Sequence, residues 1–132
     1  MSDVGFTHLA LPVRSLDTSI AFYETYARMK VWHRRPGVGW LGDSGRPFAL
    51  VLIETRTEIS PLLPIAHLGV AVASEAEVDR LGEMAERQKR LVKPPEQSGP
   101  PIGYWALLAD PDGHTLEISF GQELLLAAGG AT

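Results

Sequence analysis

Two histidines and one glutamate have the residue types and spacing of a metal site. His8 is the second residue of THLALPV, and His67 is the second residue of the similar run AHLGVAV. Glu117 lies in a third strand-like run, TLEISF, between polar residues at alternate positions. Two neutral imidazoles and a carboxylate suit a divalent cation and leave positions open for water or substrate. We therefore predict that His8, His67 and Glu117 bind one divalent ion of iron, manganese, nickel, cobalt or zinc.

The neighbours of each histidine support this prediction. Successive residues of a strand point to opposite faces, so His8 and His67 each share a face with small residues, while large apolar residues occupy the other face. Small neighbours leave room for a cavity. A single histidine in a strand is more often a solvated or hydrogen-bonded residue than a ligand. Its repetition at equivalent positions favours the metal site.

The chain consists of two similar halves that must position these residues. Each half begins with the histidine-bearing strand and continues into a helix that follows a capping serine, Ser15 or Ser74. Apolar residues at helical spacing predict the buried faces of the helices: Leu16, Ile20, Tyr23 and Ala27 in the first, and Val78, Leu81 and Ala85 in the second. Three strand-like runs separated by turn residues follow each helix. The sequence therefore predicts an α+β fold of two βαβββ modules.

The module boundaries follow from the same pattern. We place the modules at about residues 5–55 and 65–121, within a single domain of residues 1–132 that ends in a loosely held tail at 122–132. The segment 93–103, KPPEQSGPPIG, contains two Pro-Pro pairs and is predicted to be a surface loop.

Composition excludes several classes of function. The chain has 132 residues, 45% of them hydrophobic, and a formal net charge of −4 without a basic run, so a nucleic-acid partner is not expected. The absence of cysteine excludes disulfides and thiolate ligands. No apolar run is long enough to span a bilayer, and the first residues lack the pattern of a signal peptide. We expect a cytoplasmic protein without a membrane partner.

Three segments resemble the vicinal oxygen chelate superfamily, which includes glyoxalase I, extradiol dioxygenases and the bleomycin and fosfomycin resistance proteins. These segments are FTHLALPVRSLDTSIAFYE, AHLGVAVAS and GYWALLADPDGHTLEISFG. The resemblance covers about the whole chain. It implies a curved, mixed eight-stranded sheet around a cavity, a homodimer, and ligand positions at His8, His67 and Glu117.

Other positions differ from particular branches of this superfamily. Pro12 stands where resemblance to glyoxalase I calls for an arginine, and Leu107 stands where extradiol dioxygenases carry a tyrosine. Near the superfamily's fourth ligand position, Glu54 is a fourth ligand, a catalytic base or a solvated residue at the start of the linker. If Glu54 is not a ligand, the remaining triad is of the type that often holds iron(II).

Further residues are candidates for catalysis and substrate binding. Glu54, Tyr104 and His114 are the candidate bases for proton transfer, although His114 follows a turn and is more simply read as a solvated residue. The candidate substrate-binding residues are Trp40, Phe48, Leu52 and Tyr104, because aromatic and apolar side chains on these strands suit an apolar part of a substrate. Tyr104 and Trp105 point in opposite directions, so one of them at most faces a pocket.

Two functions follow from these residues. The favoured one is a metal-dependent enzyme, glyoxalase-like or dioxygenase-like, that chelates two neighbouring oxygens of a small substrate and stabilises an oxyanion. The alternative is a metal-free protein that binds or sequesters a small molecule, as in the bleomycin-resistance proteins. The retained His, His and Glu favour the enzyme.

Overall fold

The structure of this chain is a computed structural model that describes residues 5–124. These residues divide into two compact units, one ending at Ser60 and one beginning at Pro61. The first contains β1 (His8–Val13), α1 (Leu16–Ala27), β2 (Lys30–Arg35), β3 (Val38–Gly42) and β4 (Ala49–Glu54). The second contains β5 (Leu68–Ala71), α2 (Glu75–Arg87), β6 (Leu91–Gln97), β7 (Tyr104–Ala109) and β8 (Thr115–Phe120). The predicted pair of βαβββ modules is confirmed, while residues 125–132 of the predicted tail lie outside the described residues.

Both helices begin where the capping serines predict. The Oγ of Ser15 accepts a hydrogen bond from the backbone amide of Thr18 at 3.3 Å, and the Oγ of Ser74 accepts one from the amide of Glu77 at 3.1 Å. The predicted apolar faces are buried at Leu16, Ile20, Tyr23, Val78, Leu81 and Ala85, whereas Ala27 is partly exposed. None of the helices formed by residues 5–124 has the length and apolar composition needed to cross a membrane.

The two sheets have the same topology. In the first module the strand order is β1-β4-β3-β2, and in the second it is β5-β8-β7-β6. The first strand of each module pairs in parallel with the last, and the other neighbouring strands are antiparallel. The strands of the described residues thus form two mixed four-stranded sheets, which supply the eight strands that the resemblance implies.

One face of each sheet packs against the helix of its own module. In the first module, Leu11, Leu52 and Gly39 are register partners, and the methyl groups of Leu16 and Ile20 on α1 lie within 3.5 Å of where a Cβ of Gly39 would be. His8 and its register partner Ala49 therefore belong to the face away from α1. In the second module, the residues on the helix side are buried: Ala106, Leu108, Leu116 and Ile118. Glu117 belongs to the opposite face.

Strand β6 extends through a segment predicted as a loop. It includes Pro94 and Pro95, although proline has no amide hydrogen to donate to a neighbouring strand. β6 is the outermost strand of its sheet, and its register with β7 shifts between Lys93 and Glu96. Edge strands and bulges tolerate proline. The prediction that residue 93 begins a loop was therefore wrong, and the connection between β6 and β7 is confined to residues 98–103.

Candidate metal site

His67 is held by its backbone surroundings just before β5. Its Nδ1 lies 3.0 Å from the carbonyl oxygen of Pro64 and 3.1 Å from that of Ile65. Because a carbonyl oxygen only accepts hydrogen bonds, Nδ1 carries the hydrogen. In the neutral ring Nε2 then keeps its lone pair. This is how metal-binding histidines are commonly oriented, with one nitrogen donating to a carbonyl and the other directed at the metal.

Glu117 lies in the middle of β8 and faces the Nε2 atom of His67. Its neighbours in the sheet are Gly69 on β5 and Leu107 on β7. The Oε1 of Glu117 is 3.7 Å from Nε2 of His67, and the two side chains are 12% and 35% exposed. The side-chain amide of Gln122 donates to the other oxygen, Oε2, at 2.7 Å. One oxygen of the carboxylate is thus held in place, and the other points towards the histidine.

The distance between His67 and Glu117 fits two ligands of one cation. At 3.7 Å the separation is longer than a hydrogen bond. Metal–ligand distances of about 2.0–2.2 Å place neighbouring ligand atoms roughly 3.0–3.5 Å apart, so a small movement brings both atoms into a coordination sphere. Gly69 leaves the space beside Glu117 open. A Cβ at this position would lie 3.6 Å from Glu117 Oε2. Both side chains are therefore donors of the kind that a divalent metal takes.

The third predicted ligand, His8, belongs to the first module. It is the first residue of β1 and is exposed, and its Nδ1 lies 2.9 Å from the hydroxyl of Thr7. Within residues 5–124, no three His, Cys, Asp or Glu side chains are grouped closely enough to hold a metal. The structure thus brings together His67 and Glu117, and the role of His8 stays a prediction.

Glu54 has a structural contact on the helix side of its sheet. Its register partner is Val13, a buried residue, and it continues the face of Leu52. The Oε2 of Glu54 accepts a hydrogen bond of 2.9 Å from the backbone amide of Leu16, the first residue of α1. This carboxylate therefore caps the helix on the face opposite to His8. The position does not support Glu54 as a fourth ligand or a base.

Tyr104 also lies on the helix side of its sheet. Its hydroxyl donates a hydrogen bond to Asp79 of α2, and this bond, followed by burial, raises the pKa of Tyr104 to about 12. Trp105, the next residue, is the register partner of Ser119 and shares the face of Glu117. The prediction of Tyr104 as a catalytic or substrate-binding residue is therefore not supported, because its side chain faces away from Glu117.

His114 is buried rather than solvated. His114 is 1% exposed. Its Nδ1 accepts a hydrogen bond from the backbone amide of Leu62 at 3.1 Å, and its own backbone amide donates one to the side chain of Asp110. The same segment is held by Thr115, whose amide and hydroxyl both donate to the carbonyl of Leu62. His114 thus attaches the segment that precedes β5 to the start of β8. The burial contradicts the interpretation of His114 as a solvated turn residue, and its role as a base stays a prediction.

The remaining predicted substrate-binding residues have different positions. Trp40 is the register partner of Val51 and lies on the face of His8, with the ring of His33 centred 5.2 Å away. Phe48 precedes β4 and is 38% exposed. Leu52 is fully buried on the α1 side, so its prediction as a substrate-binding residue is corrected to a core residue. Trp40 alone of these three lies in the sheet on the face of a predicted ligand.

Sequence reasoning missed Gln122 and Lys93. Gln122 reaches back to Glu117 because Gly121 has a positive φ of 85°, which turns the chain after β8. The glycine after TLEISF is the signal that could have indicated this turn. The sequence predicts a loop at Lys93, whereas Lys93 lies on β6 with its Nζ 4.1 Å from the ring centre of Trp105. The strand continuation through two prolines hid this contact.

Comparison with known proteins agrees with the fold. The family model described as the glyoxalase/bleomycin resistance protein/dioxygenase superfamily matches residues 5–118. The chain belongs to this superfamily. An uncharacterized protein of Pseudomonas aeruginosa is 40% identical over 127 residues, which cover 89% of each chain.

Solved structures of the superfamily share the fold. A possible glyoxalase from Bacillus cereus is 24% identical with a TM-score of 0.72, covering 89% of this chain and 99% of the other. The fosfomycin resistance protein FosX from Listeria monocytogenes is 18% identical with a TM-score of 0.72, covering 93% and 98%. At these identities the similarity establishes the fold of the superfamily.

Proposed function

We propose that this superfamily member is a divalent-metal-dependent enzyme acting on a small molecule with two neighbouring oxygens. The observation that supports it is the orientation of His67, whose Nδ1 donates to backbone carbonyls while Nε2 lies 3.7 Å from Glu117. Both donor groups are thus held in place by hydrogen bonds, His67 by backbone carbonyls and Glu117 by Gln122. His8 completes the proposed ligand set.

The residues of the second module define what the site does. His67 contributes a neutral nitrogen donor and Glu117 a negative charge, while Gln122 fixes the carboxylate. A divalent ion held there would supply Lewis acidity towards the oxygens of a bound substrate. Glu54, Tyr104 and His114 are each engaged in other contacts. The proposal therefore assigns no base for proton transfer.

Metal analysis of protein purified without a metal-affinity column tests the proposal. We expect about one divalent ion per chain, and calorimetric titration of chelator-treated protein with iron(II), manganese, nickel, cobalt and zinc identifies the preferred ion. His67→Ala and Glu117→Gln should each weaken binding by well over the roughly 10–100-fold that loss of an outer-shell partner causes. Glu24→Gln is the matched control for Glu117→Gln, because Glu24 is exposed on α1, which packs on the face opposite to His8.

His8→Ala tests the ligand from the first module separately. If it weakens metal binding as much as His67→Ala while circular dichroism shows an unchanged fold, His8 is the third ligand. If only the His67 and Glu117 variants lose metal, the site lacks His8. If the parent protein neither contains nor takes up any of these ions, the metal proposal fails and the metal-free binding function of the bleomycin-resistance type replaces it.

The proposal includes a homodimer. β1 and β2 are the outermost strands of the first sheet, and β5 and β6 are those of the second. Outermost strands present backbone groups that a strand of another chain can pair with. Sedimentation equilibrium tests this: a mass near twice 14.4 kDa supports the dimer, and a mass of one chain contradicts it.

A further inference from the structure

Four side chains beside the proposed metal site form a closed network. The indole Nε1 of Trp105 donates to Ser98 Oγ at 2.8 Å, and Ser98 donates to Glu96 Oε2 at 3.4 Å. The other oxygen of Glu96 is 2.9 Å from Lys93 Nζ, and the same ammonium lies 4.1 Å from the ring centre of Trp105. The indole ring is thus fixed in orientation, with a cation against its face.

This network lies on the face of the sheet that carries Glu117. Trp105 is the register partner of Ser119, two residues from Glu117 along β8, and Lys93 is the register partner of Leu107, which itself pairs with Glu117. Diagonal neighbours in an antiparallel pair have side chains roughly 7–8 Å apart, within reach of an aromatic side chain. A substrate of benzoate size held at Glu117 would therefore reach Trp105, against which the ammonium of Lys93 lies.

We propose that Lys93 and Trp105 form a subsite for the carboxylate of a planar substrate, with Glu96 as the exchangeable partner of Lys93. The proposal rests on the proposed function, because it assigns a substrate class, small aromatic or conjugated carboxylates, to the same site. The substrate's carboxylate would replace that of Glu96 on the ammonium, and its ring would contact the part of the partly exposed indole that Lys93 does not cover.

The exposure of the charged groups supports this exchange. The side chain of Glu96 is 56% exposed and that of Lys93 is 28% exposed. Ion pairs between solvent-exposed side chains contribute little to stability, so releasing Glu96 into water costs little. The hydrogen bond from Lys93 lowers the pKa of Glu96, and this side chain is a carboxylate at neutral pH. The carboxylate of a substrate therefore competes with the carboxylate of Glu96 for the ammonium of Lys93, which lies against the indole.

Benzoate and its neutral analogue benzamide test the subsite. Both are titrated into chelator-treated protein, with the indole N–H signal of Trp105, assigned with Trp105→Phe, as the readout by nuclear magnetic resonance. We expect saturable benzoate binding at millimolar concentration that Lys93→Met weakens about tenfold, as for a lost charge-assisted hydrogen bond, without changing benzamide binding. Glu96→Gln should tighten benzoate binding severalfold, because it removes the competing carboxylate.

The outcomes separate this proposal from the metal proposal. Benzoate binding that persists in His67→Ala and responds to Lys93 and Glu96 as expected supports the subsite, whether or not the parent binds metal. Equal binding of benzoate and benzamide, no saturable benzoate binding, or a Lys93→Met variant that binds benzoate normally overturns it. The opposite effects expected for Lys93→Met and Glu96→Gln distinguish a binding role from a folding defect, which would weaken binding in both.

Discussion

Removing the carboxylate of Glu54 separates a structural role from a catalytic one. Glu54 Oε2 accepts a hydrogen bond from the backbone amide of Leu16 at 2.9 Å, and the hydroxyl of Ser15 accepts one from the amide of Thr18. Together they satisfy two of the amide groups that an α-helix leaves without partners at its N-terminus. A negative charge at this end also interacts favourably with the helix dipole. We therefore expect substitutions of Glu54 to destabilise the fold without affecting metal binding.

The size of the effect follows from these two contributions. Loss of a capping acceptor costs about 0.5–2 kcal/mol, and loss of a charge near a helix N-terminus costs about 0.3–1 kcal/mol. Because Glu54 is an exposed residue, solvent screens its charge, and the lower part of each range applies. Glu54→Ala should therefore reduce the free energy of unfolding by about 1 kcal/mol. Glu54→Gln, which retains an oxygen acceptor, should cost less than half of that.

Equilibrium unfolding in urea, followed by circular dichroism, measures the difference. With a urea dependence of about 2 kcal/mol per molar, Glu54→Ala should lower the midpoint by about 0.5 M. Calorimetric titration with the preferred metal should give the parent affinity for both variants. The reasoning is refuted if Glu54→Ala unfolds at the parent midpoint while its metal affinity falls, because Glu54 would then be a ligand and not a cap.

Three further predictions follow from the contacts of the second module and the core of the first. Gln122→Ala should weaken metal binding about 10–100-fold in calorimetry, because Glu117 loses the amide that orients it; unchanged affinity would contradict this. Leu52→Ala should reduce the free energy of unfolding, measured by urea denaturation, by about 2–5 kcal/mol, because Leu52 is fully buried. A variant as stable as the parent protein would contradict this core role. The ultraviolet titration of Tyr104, taken as parent minus Tyr104→Phe, should have its midpoint near pH 12 and shift down in Asp79→Asn. Because this pKa is raised above the ordinary value of about 10, the stabilisation by Tyr104 is complete below pH 10 and is lost as the pH rises towards 12.

The sequence predicted the secondary structure well because the local signals agreed with one another. Ser15 and Ser74 begin their helices as caps, and seven of the eight strands begin and end within a few residues of the predicted runs. The exception is β6, where proline is a strong local signal against a strand. An edge position with a register shift permits the strand to continue, and neither property can be read from a local window.

Alternation along strands predicted that Glu117 lies on the face away from the apolar residues of β8, but it could not assign every side chain. Parity predicted that Tyr104 and Trp105 face opposite ways, and the contact of Tyr104 with Asp79 on α2 decided which of them shares the face of Glu117. The roles of Glu54 and His114 were likewise open, since their partners Leu16 and Leu62 are distant in sequence. Contacts of this kind exist only after the strands and helices have packed.

The sequence by itself determined the repeat and the two modules, because hydrophobic periodicity and turn residues act locally. Tertiary structure alone decided which polar groups point at one another. The approach of His67 Nε2 to Glu117 depends on backbone carbonyls that orient the ring and on Gln122 returning from beyond β8. Hydrogen-bond geometry depends on distances of a few tenths of an ångström, which residue spacing along a chain does not specify.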